Sequence, residues 1–356
     1  MNRPGLLSRS FVLRSPLPGA ARASERFSVR SVLACAALLA LTAAVTLAAL
    51  MLGEIVYTPP QVAQALFGEA PGAAELFVVQ WRLPRAVTAA VFGAMLGLAG
   101  ALFQSITRNP LGSPDIIGFT AGSSAGGVAV VALLGSGRLM VAGGALAGGL
   151  LVAALIVLLS RGGGISGLRL VIAGIALSAM LSSLETWFIL SAELDIAQVA
   201  ALWSTGSLNG TGFAHTGPAL VAGTAMLLLT GFGLGRRLRL LDLGDDASAA
   251  LGASPGRTRL LAIAAGVVLI AITTASAGPI AFVALAAPHI GRRLAGAAGT
   301  ALAPSACAGA LVLASADLAG QHAIPGHSYP VGLVTVAVGG IYLITLIAHE
   351  NRKGTL

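Results

Sequence analysis

The feature that most limits the fold is the grouping of apolar residues. Runs of roughly 20 mostly apolar residues follow one another along the chain, and charged residues lie between the runs rather than along a face within them. A helix of that length spans the hydrocarbon core of a bilayer. Backbone in lipid must satisfy its own hydrogen bonds, so the runs read as helices. They fall at 31–53, 84–106, 115–134, 139–160, 169–192, 213–235, 258–276, 279–291, 297–320 and 330–349. Only 10% of the 356 residues are charged and 56% are hydrophobic, against about 25% charged in a soluble domain. A soluble helical protein would instead carry charge on its exposed helix faces. The expected fold class is all-α: a polytopic membrane protein of about ten transmembrane helices.

Charge sets the orientation. The segment 258–291 is long for one span and short for two, with a turn signal at Gly278-Pro279 in its middle. Arg257 and Arg259 flank one end and Arg292 and Arg293 the other. If both ends are cytoplasmic, the segment crosses twice, giving ten spans with both termini inside. Of 21 Lys and Arg, 18 then fall inside: Arg3, Arg9, Arg14, Arg22, Arg26 and Arg30; Arg108; Arg161 and Arg169; Arg236, Arg237, Arg239, Arg257 and Arg259; Arg292 and Arg293; Arg352 and Lys353. Only Arg82, Arg85 and Arg138 fall outside, an asymmetry that follows the positive-inside rule. The net charge of +8 therefore reads as basic cytoplasmic loops and not as a nucleic-acid surface. The expected organisation is a basic, disordered cytoplasmic tail (1–30), a transmembrane domain (31–349) and a short cytoplasmic tail (350–356). The tail and first run imitate a signal peptide, but the run is longer than a signal core and fits a retained span.

Chemistry-bearing motifs are scarce. The single lysine, Lys353, has no glycine-rich lead-in, so a Walker-type phosphate cradle is missing. No His, Asp and Glu cluster has metal-ligand spacing, and no GxSxG elbow occurs. Cys35 and Cys307 sit singly in apolar runs, without disulfide or CxxC patterning. The chain is therefore not expected to be an enzyme or to hold a metal or cofactor; energy must come from an ion gradient or a partner. Glu185 and Asp317 lie inside spans, where ionisable groups default to functional hypotheses. Proton coupling through either defines one reading, a secondary transporter. Acids near the outer helix ends, facing a wet cavity, define the other. Glycines recur at Gly93, Gly97 and Gly100, at Gly122, Gly126 and Gly127, and at Gly143, Gly144, Gly148 and Gly149, the signature of closely packed membrane helices.

A set of segments in fixed order then becomes recognisable: WRLPR (81–85), GAMLGLAGALFQSITRNPLGSPDIIGFTAGSSAG (93–126), LVIAGIALS (170–178), LWSTGSL (202–208), LGDDASAALGAS (243–254), GPIAFVALAAPHIGRRLAG (278–296) and YPVGLVTVAVGG (329–340). Over about residues 50 to 345 the chain resembles the permease subunit of bacterial ABC importers for iron–siderophore complexes, haem and vitamin B12. The resemblance implies a ten-helix permease of the cytoplasmic (inner) membrane, paired with a second permease copy or paralogue. Two cytoplasmic ATPase subunits, which bind ATP and Mg, drive it, and an extracytoplasmic binding protein delivers cargo.

The resemblance also implies roles for particular residues. The segment 236–257 becomes the ATPase coupling loop, with Leu243, Gly244, Asp245, Asp246, Ala249, Leu251 and Gly252 at its centre. Its two acids open a short helix where the helix dipole favours them. The translocation path falls to Ser178, Ser182, Glu185 and Thr186 in the fifth span and Thr335 and Gly339 in the tenth, and the cytoplasmic gate to Ser166 and Gly167. Arg82 and Arg85 become the dock for acidic residues of the binding protein. Gln321 stands where the family often has a basic residue, with His322 beside it as a partial substitute. Ser328-Tyr329-Pro330 and Gly339-Gly340-Ile341 depart from the family's usual turn and later Gly-x-Pro. His322 and His327 in one outer loop also invite a metal or haem reading.

Overall fold

The computed structural model describes residues 10–14, 24–69, 72–135, 137–159, 167–324 and 326–352. In the N-terminal tail, β1 (Ser10–Arg14) pairs antiparallel with β2 (Ser24–Ser28), Ser10 opposite Ser28; residues 1–9 and 15–23 lie outside the described residues. The first apolar run is α1 (Val29–Met51), its N-terminus capped by the Ser28 hydroxyl, which accepts from the Ser31 N–H at 3.1 Å. A short outer helix, α2 (Pro59–Leu66), follows Thr58, whose N–H donates to the Gln61 side chain at 2.8 Å. A π-helical turn, Leu76–Arg82, then runs straight into α3 (Leu83–Thr107).

The third run is not one helix. It breaks at Gly118, φ +91°, into α4 (Pro114–Ile117) and α5 (Phe119–Leu134). Next come α6 (Arg138–Leu159), α7 (Gly167–Ser191) and α8 (Leu194–Ser204), the last an 11-residue helix in a stretch with no apolar run of its own. The rest are α9 (Phe213–Leu241), α10 (Asp245–Ala250), α11 (Pro255–Ala277), α12 (Val283–Ala295), α13 (Leu302–His322) and α14 (Val331–Arg352). Each of the ten apolar runs thus holds helix. Among the described residues, seven helices are long and apolar enough to cross a membrane, with α5 and the apolar part of α14 shorter.

The core forms around α3. This helix packs against α13, α11, α12 and α9, and Phe92, Met95, Leu98, Leu102 and Phe103 are fully enclosed. Backbones approach closely where glycines meet. A Cβ on Gly309 of α13 would strike the Gly93 carbonyl and lie 2.9 Å from the Gly97 Cα, and Gly126 and Gly144 meet in the same way between α5 and α6. Small-residue packing thus explains the glycine clusters, except at Gly143, which faces open space.

The stretch between α11 and α12 has a clear physical logic. The α12 helix has 13 residues, about 20 Å of rise, which falls short of a hydrocarbon core of about 30 Å. The residues before it, 278–282, are not helical. Irregular backbone within a membrane protein is tolerated only where its polar groups are satisfied by protein. Here the Ser207 N–H donates to the Ala277 carbonyl at 2.7 Å, and the Phe282 N–H donates to Asp115 Oδ2 at 3.1 Å.

Candidate functional site

On the outer side, both arginines of the WRLPR segment point back into the chain. The Arg82 guanidinium donates to the carbonyls of Leu50 (2.9 Å), Met51 (3.2 Å) and Ile55 (2.8 Å), and lies 5.2 Å from the Tyr57 ring centroid. It satisfies the exposed carbonyl end of α1, where a cation also suits the helix dipole. Arg85 makes a bidentate pair with Asp317 of α13: Nε donates to Oδ1 and Oδ2 at 3.1 and 2.9 Å, and Nη2 to Oδ1 at 2.8 Å. The two side chains are 15% and 3% exposed. The Gln321 amide adds a bond to Asp317 Oδ2 at 2.8 Å. His322 is half-buried beside this group, and both its ring nitrogens are buried without a hydrogen-bond partner. His327 lies against the Tyr329 ring, 6.2 Å between centroids. Among the described residues no group of three His, Cys, Asp or Glu could hold a metal ion.

On the inner side, the 236–257 segment folds as the end of α9, then α10, then the start of α11. Gly244 and Gly252 bracket α10 with φ of +103° and +83°, values open to glycine. Asp245 anchors the helix. Its Oδ1 accepts from Arg108 Nη2 at 2.7 Å and from Arg259 Nη2 at 2.8 Å. The Arg259 hydrogen bond, backed by the charges of Arg259 and Arg108, holds the Asp245 carboxyl below the ordinary carboxylate range. Leu243 and Leu251 are 62% and 60% exposed, and Asp246, Ala249 and Gly252 are exposed with them. A short, braced helix thus carries an exposed apolar surface.

Between these faces run α7 and α14. On α7, Ser182 and Thr186 are exposed, and the Thr186 hydroxyl donates to the Ser182 carbonyl at 2.8 Å. Glu185 turns partly inward and accepts from the Ser124 hydroxyl of α5 at 3.0 Å. Ser178 lies under the α4–α5 break, 2.7 Å from where a Cβ on Gly118 would stand. On α14 the rotation differs from expectation. Thr335 is 3% exposed and donates to the Gly332 carbonyl at 3.0 Å, and Gly339 is buried against the Phe282 ring. The open face of α14 is instead Leu333, Val336, Val338 and Ile341. Of the expected gate, Ser166 lies outside the described residues and Gly167 begins α7.

With this geometry in place, the comparisons with known proteins become decisive. The profile of the FecCD transport family matches residues 40–349. The chain belongs to the FecCD transport family. The permease is 45% identical over 301 residues to the ferric enterobactin transport system permease protein FepG of Escherichia coli K12, covering 85% of this chain and 91% of the relative. It is 36% identical over 343 residues to FepD, the ferric enterobactin transport system permease protein of the same organism, covering 93% and 99%. A solved inward-facing metal-chelate type ABC transporter superposes with a TM-score of 0.76 at 26% identity, covering 89% of the permease and 99% of that chain. The permease is accordingly a multi-pass membrane transport protein whose membrane domain is helical.

Two structural features of the permease escape a reading of the sequence alone. One is the pairing of Arg85 with Asp317 across 232 positions; the unusual outer arginine was the available signal. The other is Asp115. Its Oδ1 accepts from the Thr120 hydroxyl at 2.7 Å while Oδ2 holds the Phe282 N–H. Asp115 stands at the first position of an apolar run and reads as a flank. The signal that could have found it is the Pro114 and Gly118 pair, which breaks the helix around it.

Proposed function

We propose that this chain is the permease subunit of an ABC importer that carries a ferric siderophore across the bacterial cytoplasmic (inner) membrane. ATP hydrolysis, with its Mg, belongs to a separate pair of ATPase subunits, and an extracytoplasmic binding protein delivers the cargo. The observation that carries this reading is the FecCD match over nearly the whole membrane domain, with the relative at 45% identity named for ferric enterobactin transport. Since FepG and FepD are both named as permeases of that transport system, we propose that this permease pairs with a paralogue rather than with itself.

The coupling helix is proposed to be α10. Its exposed Leu243, Ala249 and Leu251, bracketed by Gly244 and Gly252, suit an apolar groove on the ATPase, with Asp246 at the rim. The path is proposed to follow the open face of α7, with Ser182 and Thr186, and the open face of α14. Ser178, Glu185, Thr335 and Gly339 then shape the helices that form the wall, and 166–167 stands at the inner gate. The outer dock is proposed to centre on Arg82 and His322, with Arg85 and Gln321 supporting it by fixing Asp317. The same ion pair supports a structural role for Asp317 over that of proton carrier. Leu251→Asp should abolish co-purification of the ATPase with the permease while the permease itself remains folded. Retention of the ATPase by that variant would contradict the assignment of α10.

A further inference from the structure

We infer that residues 108–113, together with Asp115, form a strap that passes motion from α10 to the helices of the path, with Asp115 as the positioning residue that hands it on; this rests on the import reading above. Three ties define the strap. At its start, Arg108 is bonded to Asp245 of α10 at 2.7 Å and to the Leu241 carbonyl at 3.3 Å. In its middle, the Pro110 carbonyl bonds the His289 ring of α12 at 2.9 Å. At its far end, Asp115 receives the Phe282 N–H and the Thr120 hydroxyl.

The far end reaches both helices assigned to the path, α7 directly and α14 through Phe282. Phe282 has φ of +67°, a left-handed value that is strained for an aromatic residue and persists only where the surroundings hold it. Its ring fills the space against Gly339 of α14. On the other side of Asp115, Gly118 and Ile117 pack on Gly174 and Ser178 of α7 with no room for a methyl group. A displacement of α4 therefore cannot leave α7, Phe282 and α14 where they are. Among the described residues the Asp115 carboxylate has no cationic partner. Its two accepted hydrogen bonds offset the burial of that group. That is a heavy provision for a simple turn, and it fits a joint that must hold under load.

A double-mutant cycle measures coupling along such a chain of contacts. The assembled complex of permease, ATPase and binding protein in proteoliposomes is read for two rates, ATP hydrolysis and uptake of a radioactive-iron tris-catecholate chelate. Asp115→Asn should leave hydrolysis within about twofold and lower uptake per ATP about tenfold, the order expected when one hydrogen bond at the joint is lost. Arg108→Gln, which leaves Arg259 to hold α10, should lower the ratio by a similar factor. The double variant should be no worse than the worse single one. A product of the two effects, about a hundredfold, would mean independent roles and overturn the strap. Where Asp115→Asn does not assemble, Thr120→Val removes one donor to the carboxylate and should lower the ratio about threefold; an unchanged ratio overturns the proposal. A wild-type complex that hydrolyses ATP without importing the chelate overturns the import reading, and the strap with it. Transport by the wild type with unchanged ratios in the variants overturns the strap alone.

Discussion

At the residue scale, a few polar side chains in an apolar molecule do specific work. Arg85 and Asp317 form an enclosed bidentate pair. Removing one member of such a pair strands the other charge, which typically destabilises by about 3–5 kcal/mol. Asp317→Ala should lower the thermal midpoint of the detergent-solubilised permease markedly, and Arg85→Met with Asp317→Leu should recover much of it. Equal midpoints for Asp317→Ala and wild type would contradict this account of the pair. Arg85 also illustrates what one sequence can and cannot disclose. Its place just before an apolar run was legible in the sequence. Its partner was not, because nothing in the spacing links residues 85 and 317. Asp245 gives a pH prediction. Its folded pKa is depressed by Arg259 and Arg108, so the clamp contributes fully above the ordinary aspartate value of about 3.9. The contribution fades as pH falls through the lower folded value. ATPase retention by α10 should therefore be flat from neutral pH down to about 5 and weaken only in stronger acid. Loss of retention between pH 7 and 6 would point to a different group.

At the element scale, the helices are set by apolar run length, and their contacts by glycine. Run length and the flanking arginines made the ten helical segments legible, including the turn at Gly278-Pro279, because hydropathy acts locally. Helix rotation is set by tertiary packing, so it was not legible. That is why Thr335 and Gly339 face inward although they lie on the expected helix. The break at Gly118 escaped for a related reason: it is held by tertiary contacts, the Asp115 bond to the Phe282 N–H and the packing of Ile117 on Gly174, that local sequence does not show. Close packing makes a direct comparison possible. Gly309→Val drives side-chain atoms into the backbone of α3 and should destabilise by about 1–3 kcal/mol or more. Gly143→Ala, facing open space, should leave the midpoint unchanged. Equal midpoints for the two variants would remove close approach as the reason for the glycines.

At the scale of the whole molecule, the parts form a device with two working faces. Arg30 donates to the carbonyls of Leu294 and Arg293 at 3.0 and 3.2 Å, tying the cytoplasmic start of α1 to the end of α12. Arg82 does the same for the outer end of α1. The frame is thus fixed at both surfaces around α3, while α7 and α14 keep open faces and α10 projects from one end. The orientation expected from charge would put α10 and its clamping arginines on the side where basic loops collect. The central claim is that motion across the membrane is driven by ATP through a partner and not by an ion gradient through Glu185 or Asp317. It is tested most directly by chelate uptake into proteoliposomes holding permease, ATPase and binding protein. The account predicts ATP-dependent accumulation of the iron chelate that is indifferent to a protonophore. Uptake that continues without ATP and collapses with the proton gradient would contradict it.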